Sequence, residues 1–123
     1  MKIILSNHSE LPIYAQIKEQ LKEQILMNKI PEGTVLPSIR QLARDLGISV
    51  ITTTRAYNDL EQEGFIATRQ GKGSIVLSRD NEMMKEQYLK RIEEALQTAI
   101  ENARYVQLST DELIMMLKTL MED

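Results

Sequence analysis

The sequence predicts a mainly α-helical protein with one small β-hairpin. We expect an N-terminal winged helix-turn-helix followed by a two-helix C-terminal dimerisation domain. Three observations lead to this fold class. Apolar residues recur at helical spacing in five segments, two short strand-forming runs flank residues 70–73, and neither glycine nor proline occurs after residue 73. We place the two domains at residues 1–78 and 79–123.

Composition narrows the class of protein. The chain has 123 residues, which suits one domain or one small domain with an appendage. It has no cysteine and one histidine, so a disulfide framework is excluded and a multi-histidine zinc site is disfavoured. The apolar run 3–5 is too short for a signal peptide or a membrane span. We expect a cytoplasmic protein with no metal, no cofactor and no membrane partner.

The net charge of −3 is unevenly divided between the two predicted domains. Residues 1–78 contain nine Lys/Arg and eight Asp/Glu, whereas residues 79–123 contain six Lys/Arg and ten Asp/Glu. A nucleic-acid-binding protein needs a local basic face rather than a basic average. Such a face could come from Arg40, Arg44, Arg55, Arg69 and Lys72.

The first helix is expected from Pro12 to about Asn28. Proline suits the first helical position, and an apolar stripe follows at intervals of four residues, formed by Ile13, Ile17, Leu21 and Ile25. The Pro-Glu-Gly sequence at 31–33 then breaks the helix. Residues 34–36 should be extended, because a residue before Pro37 is pushed towards β geometry.

Two short helices separated by a tight turn follow. Ser38 should cap the first, with Gln41 completing a capping box, and Gly47 should end it in a left-handed conformation. Ser49 should cap the second, which Gly64 ends. Their buried faces are expected to be Ile39, Leu42, Ala43 and Leu46, and Thr53, Ala56, Tyr57 and Leu60.

A hairpin is predicted from strands at 65–69 and 74–77. Gly71 and Gly73 lie in the connection, where they can take positive φ. We call residues 69–74 the wing. Because an isolated hairpin is marginal, this one should pack on the helices through Phe65 or Ile66 and through Ile75 or Leu77.

The C-terminal third should form two helices. A long helix over about 81–107 carries apolar residues at alternating steps of three and four, a heptad seam that predicts association of two copies. Ser109 should cap a last helix, with Glu112 at the capping-box position. The predicted dimer interface consists of Leu89, Ile92, Leu96, Ala99, Ile100, Ala103, Val106, Leu113, Leu117 and Leu120.

The outer face of the third helix carries side chains suited to base edges. A turn of 100° per residue puts Ile51, Thr54, Arg55 and Asn58 outside, with Thr52 at the flank. Arginine can bond guanine, asparagine can bond adenine, and threonine can serve several bases, although each can instead hold a phosphate. Ile51 has two interpretations that the sequence leaves open: contact with a thymine methyl group, or a tolerated surface residue.

Phosphate contacts are predicted beside this helix. Ser38 and Ser49 lie at helix N-termini, which bind anions, and both should act as caps with or without a phosphate. Arg40 opposes the dipole of its helix, which a DNA phosphate or a local carboxylate would offset; we favour the phosphate. Lys72 lies between two glycines, as suits a wing tip beside a DNA backbone or a plain solvated turn.

These motifs resemble the DNA-binding domain of GntR-family bacterial transcription regulators, over about residues 10–78. The matching residues are Pro12-Ile13-Tyr14-x-Gln16-Ile17, Leu36-Pro37-Ser38-x-Arg40-x-Leu42-Ala43, Leu46-Gly47-Ile48-Ser49, Thr52, Arg55-Ala56-Tyr57-x-x-Leu60-Glu61-x-Glu63-Gly64 and Arg69-x-Gly71-x-Gly73. The short tail resembles the dimerisation domain of YtrA-like members. The resemblance implies a homodimeric repressor on a palindromic double-stranded DNA operator. It places a recognition helix (about 49–63) in the major groove and the wing at the minor groove.

Carried over by position, the resemblance puts Ser49, Val50, Thr52 and Thr54 at the contacting turn of the recognition helix. Many members have a basic or polar residue where Val50 and Ile51 stand, which suggests a T-rich or shape-read half-site here. The predicted DNA-binding residues are Ser38, Arg40, Ser49, Val50, Ile51, Thr52, Thr54, Arg55, Asn58, Arg69, Gly71, Lys72 and Gly73.

The alternative function is a winged-helix protein-interaction module without DNA binding. A protein-binding face should be broadly apolar, whereas the outer face of the third helix is mainly Thr, Arg and Asn. No nucleophile–base pair or cofactor loop indicates an enzyme, and Asp59, Glu61 and Glu63 should form a solvated helical face. A small-molecule effector is possible but unsupported, because the short tail leaves little room for a pocket.

Overall fold

The computed structural model describes residues 1–122 and contains seven regular elements within them. Five are helices: α1 (Ile13–Leu26), α2 (Ile39–Leu46), α3 (Val50–Gln62), α4 (Glu82–Tyr105) and α5 (Thr110–Met121). Two are antiparallel strands between α3 and α4: β1 (Ile66–Arg69) and β2 (Gly73–Val76). The predicted fold class is confirmed. The chain divides into two compact units, Met1–Glu86 and Gln87–Asp123.

The core of the first unit lies where α1, α2, α3 and the hairpin meet. α1 packs against α3, which also contacts α2 and β1. The buried apolar side chains include Ile17, Leu21, Ile25, Leu42, Ala43, Ala56, Tyr57, Leu60, Phe65, Ile66 and Val76. Burying each large member contributes roughly 1.5–3 kcal/mol, so this set fixes which face of α3 points inward.

The turn between α2 and α3 is held by caps at both helices. Ser38 Oγ accepts a hydrogen bond from the Gln41 N–H at 3.1 Å, and Gly47 ends α2 with φ of 67°. Ser49 Oγ accepts from the Thr52 N–H at 3.0 Å. The capping box predicted at Ser38 is wrong, because the Gln41 side chain donates along its own helix to an Asp45 carboxylate oxygen at 2.7 Å.

α1 is shorter than predicted at both ends. Pro12 is the N-cap rather than the first helical residue, and its carbonyl accepts from the N–H groups of Ala15 and Gln16. The helix ends at Leu26 because Asn28 takes a left-handed φ of 58°, a conformation that asparagine tolerates better than most residues.

The hairpin packs on the helices through one residue that differs from our expectation. In the register of the two strands, Ile66 lies opposite Val76, and both are buried together with Phe65. Ile75 and Leu77 are only half-buried, so naming either as the packing residue was wrong. Successive side chains of a strand point to opposite faces, and here the inward face of β2 belongs to Val76.

Residues 34–36 are extended, as predicted, and add a short third segment beside β2. The Val76 N–H donates to the Thr34 carbonyl at 2.9 Å, and the Leu36 N–H donates to the Ser74 carbonyl at 2.8 Å. The backbone leading into α2 is therefore tied to the strand that ends the wing.

Lys22 is buried, and its charge is met inside the unit. The Lys22 Nζ donates to Glu63 Oε1 at 2.7 Å and lies 5.2 Å from the centroid of the Phe65 ring. Lys18 Nζ is 3.3 Å from the other Glu63 oxygen. Burial alone would raise the pKa of Glu63, but the hydrogen bond and charge of Lys22, with those of Lys18, hold that pKa below its ordinary value.

The acids of α3 and its C-terminal end are therefore structural, and our expectation of a solvated face was wrong. Asp59 and Glu63 both pair with Lys18 of α1. Glu61 Oε1 accepts a hydrogen bond from the Thr68 N–H of β1 at 2.9 Å. These contacts tie α3 to α1 and to β1.

The N-terminal segment lies along α1 and is held by three glutamine side chains. Each amide both donates to and accepts from the backbone of one residue, at distances of 2.7 to 3.3 Å. Gln16, Gln20 and Gln24 pair in this way with Ser6, Ile4 and Lys2. The spacing works because four helical residues rise about 6 Å and two extended residues about 6.8 Å.

The second unit contains most of α4, all of α5 and the turn that joins them. Gln107 takes φ of 58°, and the Leu108 N–H donates back to the Ala103 carbonyl at 2.8 Å. The capping box of Ser109 and Glu112 is confirmed. Within residues 87–122, Ala103 is the only buried side chain, so these helices have little core of their own.

None of the helices in residues 1–122 combines the length and the apolar character needed to cross a membrane.

Candidate nucleic-acid interface

The orientation of α3 follows from its buried face. Thr53, Ala56, Tyr57 and Leu60 are buried, which turns Ile51, Arg55 and Asn58 to the exterior. The Tyr57 hydroxyl donates to the Pro37 carbonyl at 2.6 Å and so ties α3 to the segment before α2. Burial raises the pKa of Tyr57 to about 12, so the hydroxyl stays protonated and keeps donating.

The first turn of α3 exposes aliphatic side chains. Val50 is 47% exposed and Ile51 is 83% exposed. The hydroxyl groups beside them are largely engaged within the helix. Thr54 Oγ1 donates to the Val50 carbonyl at 2.7 Å, and Ser49 Oγ donates to Thr52 Oγ1 at 2.8 Å. This surface is more apolar than the residue names suggest.

Arg55 lies over the ring of Tyr14, with its guanidinium carbon 3.8 Å from the ring centroid. None of the described residues accepts a hydrogen bond from this guanidinium or forms an ion pair with it. The stacking covers one face of the group and leaves its N–H edge available. Tyr14 was missed as a candidate site residue, although the pair could have been suggested by an arginine on the outer face of α3 and an aromatic residue at the start of α1.

Arg40 is exposed in the first turn of α2, where its charge opposes the helix dipole. Among residues 1–122, no carboxylate forms an ion pair with it, and Asp45 instead accepts from Gln41. The side chains of Ser38 and Ser49 are both used as caps. An anion that compensates Arg40 would therefore come from outside the described residues.

The wing is an exposed, cationic turn. Arg69, Gly71, Lys72 and Gly73 are all exposed, and the Lys72 N–H donates to the Arg69 carbonyl at 2.9 Å. Gly71 has φ of 76°, and a β-carbon built there would meet no atom within 4 Å. Glycine is therefore needed for the backbone conformation and not to avoid a neighbour inside the protein.

The predicted interface residues of the second unit form a mostly exposed apolar surface. Exposed members are Leu89, Ile92, Leu96, Ile100, Val106, Leu117 and Leu120; Ala99 and Leu113 are half-buried, and Ala103 is buried. Leu96, Ile100, Leu113 and Leu117 line an apolar groove of about 280 Å³ between α4 and α5. So much exposed aliphatic area on two helices is characteristic of a surface that another chain covers.

Comparison with known proteins agrees with this arrangement. Residues 13–76 match the family model of bacterial regulatory proteins of the gntR family. The HTH-type transcriptional repressor YtrA of Bacillus subtilis (strain 168) is 32% identical over 121 residues, covering 98% of this chain and 93% of YtrA.

Two solved structures extend the likeness. YtrA from Sulfolobus acidocaldarius, a GntR-family transcription factor, has a TM-score of 0.62 and 32% identity, covering 99% of this chain and 97% of that one. AraR(DBD) in complex with operator ORR3 has a TM-score of 0.51 and 32% identity, covering 62% of this chain and 92% of that one.

The resemblance inferred from sequence motifs is thus confirmed, both for the family and for its YtrA members. The relatives are named transcriptional regulators and repressors, and the family is not enzymatic. The chain belongs to the GntR family of bacterial regulatory proteins.

Proposed function

We propose that this protein is a homodimeric transcriptional repressor that binds a palindromic operator. The recognition helix, residues 49–63, enters the major groove, and the wing, residues 69–74, lies at the minor groove. The observation that carries this proposal is the outer face of α3, which is exposed and bears Arg55 and Asn58 beside an Arg40 that has no ion-pair partner in the described part of the chain. AraR(DBD), a structural neighbour, was solved with operator DNA.

The proposed contacts divide between backbone and bases. Arg40, Arg69 and Lys72 supply cations, Ser38 caps a helix N-terminus, and Gly71 and Gly73 allow close approach of the wing, so these residues hold phosphates and sugars. The exposed residues of α3, with Ser49 at its cap, lie against the base edges. This division leaves sequence preference to Val50, Ile51, Thr52, Thr54, Arg55 and Asn58.

Dimerisation would be carried by the second unit. Its two helices bury almost nothing within one chain, and the heptad seam of α4 is the pattern by which helices pair. A two-fold dimer supplies two copies of α3, which matches a palindromic operator with half-sites about one helical turn apart. We place the protein in the cytoplasm, where the DNA of a bacterium lies.

Selection of bound duplexes from a random pool tests the proposal. The purified chain should enrich an inverted repeat, and binding to the enriched duplex in a gel shift should weaken steeply with added salt. If no duplex were enriched over many rounds, the proposed DNA binding would be contradicted.

A protein-interaction module is the second candidate, and the apolar turn of Val50 and Ile51 is the observation that favours it. Such a module would fail the DNA selection and would instead retain a protein on that face. No described feature of the second unit identifies a small-molecule effector. An effector of the repressor would have to alter the placement of its two DNA-binding heads.

A further inference from the structure

The first turn and a half of α3 is an uninterrupted run of β-branched residues, Val50-Ile51-Thr52-Thr53-Thr54. Such residues are mediocre helix formers because the helix restricts their χ1 angles. Of the five, only Thr53 is buried, so packing inside the protein does not explain the run. Residues that disfavour the helix they stand in, and that gain no packing inside the protein, are expected where the surface has a function.

The same restriction makes these side chains rigid. A valine or isoleucine in a helix populates one χ1 rotamer almost exclusively. Branching at Cβ limits the χ1 states of Val50 and Ile51, so little χ1 entropy is lost on contact, while χ2 of Ile51 stays free. A stiff aliphatic surface suits a partner that offers apolar groups at fixed positions.

The hydrogen bonds already made by the neighbouring Ser and Thr hydroxyl groups limit which groups a partner can offer to this surface. The Thr54 hydroxyl proton is donated to the Val50 carbonyl, and the Ser49 proton is donated to Thr52. The Ser49 and Thr54 oxygens can still accept, and the Thr52 hydroxyl, which accepts from Ser49, can also donate. In the major groove the donors are the amino groups of adenine and cytosine, and the one apolar group on the four bases is the thymine methyl. An A·T pair offers both a methyl group and an amino donor.

We propose that Val50 and Ile51 are specificity residues that contact thymine C5-methyl groups, so each half-site presents A·T pairs to the first turn of α3. This inference rests on the proposed operator binding and adds to it the base read by this turn. The surrounding charge favours DNA over an apolar protein partner. Arg40 and Arg55 are exposed and pair with no carboxylate among residues 1–122, and the described acids of α3 are engaged with α1 and β1.

The test replaces single thymines of the selected operator by deoxyuridine, which lacks only the methyl group. Wild-type protein should lose about fourfold in affinity for each contacted methyl, equal to about 0.8 kcal/mol. Positions outside the contact should show no loss. Ile51→Ala is the matching protein variant, and its fold should be intact because the side chain is 83% exposed.

The deoxyuridine replacement and the Ile51→Ala variant together form a double-mutant cycle. Ile51→Ala should bind the thymine operator more weakly than wild type, and it should lose nothing further when deoxyuridine replaces the thymine that Ile51 contacts. Met27→Ala removes another exposed apolar side chain, at the end of α1, and should keep the full wild-type penalty for deoxyuridine.

The outcomes separate the inference from the function on which it rests. Selected half-sites without thymine, or thymines whose replacement leaves wild-type affinity unchanged, would overturn the methyl contact while operator binding stands. The same would follow if the deoxyuridine penalty were equal in wild type and Ile51→Ala at every sensitive thymine. Failure to select any duplex, with capture of a protein ligand by this face, would overturn both.

Discussion

Arg55 and Tyr14 come from different helices, yet the guanidinium of one covers the ring of the other at 3.8 Å. An exposed arginine has many rotamers, and ordering it on DNA costs conformational entropy. Stacking on a ring removes part of that cost in advance and keeps the N–H edge available. Tyr14 is thus proposed to position Arg55 without touching DNA itself.

Changing the ring under Arg55 should therefore alter operator affinity. Tyr14→Leu removes the aromatic face, and we expect binding to weaken by about two- to fivefold, from roughly 0.5–1 kcal/mol of lost stacking. Tyr14→Phe keeps the ring and should bind like wild type. Fluorescence anisotropy with the selected operator measures both variants. Equal weakening in Leu and Phe variants would point to the hydroxyl and against stacking.

Arg40 is a second residue of the proposed interface, and no carboxylate among residues 1–122 forms an ion pair with it. A cation in the first turn of a helix is unfavourable by a few tenths of a kcal/mol unless an anion compensates. Arg40→Ala should weaken binding and reduce the salt slope of log Kobs by about one per half-site. Lys29→Ala carries the same charge change at the end of α1, outside the proposed interface, and should keep the wild-type slope. If both variants gave the wild-type slope, Arg40 would not be a phosphate contact.

At the scale of elements, helical periodicity and capping residues located all five helices from the sequence, because both are local signals. Contacts between elements were not predictable in this way. Glu63 and Lys22 each look like solvated charges in the chain, and only the packing of α1 on α3 brings Nζ and Oε1 to 2.7 Å. The three glutamines that bind the N-terminal segment were missed for the same reason, although their four-residue spacing was visible.

The Lys22–Glu63 pair should make stability depend on pH in the acidic range. The folded-state pKa of Glu63 lies below its ordinary value of 4.5, so the contribution is complete above that value and is lost as pH falls through the lower folded pKa. Glu63→Gln should cost about 2 kcal/mol near pH 7, and the gap from wild type should narrow below pH 4.5. Urea unfolding at several pH values measures this difference in the free energy of unfolding.

Glu19→Gln is the matched control for that series. Its carboxylate lies 3.8 Å from the same Lys22 Nζ but is 49% exposed, so water screens the interaction. This variant should follow the wild-type pH profile closely. A Glu63→Gln profile parallel to wild type down to acid unfolding would contradict the role given to the pair.

At the scale of the whole molecule, the two units carry different charges and different surfaces. Residues 87–123 contain seven Asp/Glu and four Lys/Arg, while the exposed arginines of α2 and α3 and the cations of the wing belong to the first unit. The heptad spacing of α4 predicted where exposed leucines would lie, because periodicity is a local property of the sequence, whereas the partner that covers them is not. Dimerisation through this surface stays a prediction.

Leu96→Glu tests whether the chain dimerises through the apolar surface of the second unit. The side chain is 48% exposed, so the helix should still form, but a carboxylate in the apolar seam would carry a high desolvation cost in a dimer. We expect a monomer in sedimentation equilibrium and a loss of operator binding. Gln97→Glu adds the same charge one residue away, off the seam, and should stay dimeric. A dimeric Leu96→Glu protein would place the interface elsewhere.

The central claim is that two copies of α3, held by one dimer, read two half-sites. The direct measurement compares titration of the full inverted repeat with titration of a duplex that has one half-site scrambled. We expect two chains per full duplex and an affinity at least about a hundredfold higher than for the half-site duplex. One chain per duplex, or equal affinity for both duplexes, would contradict it.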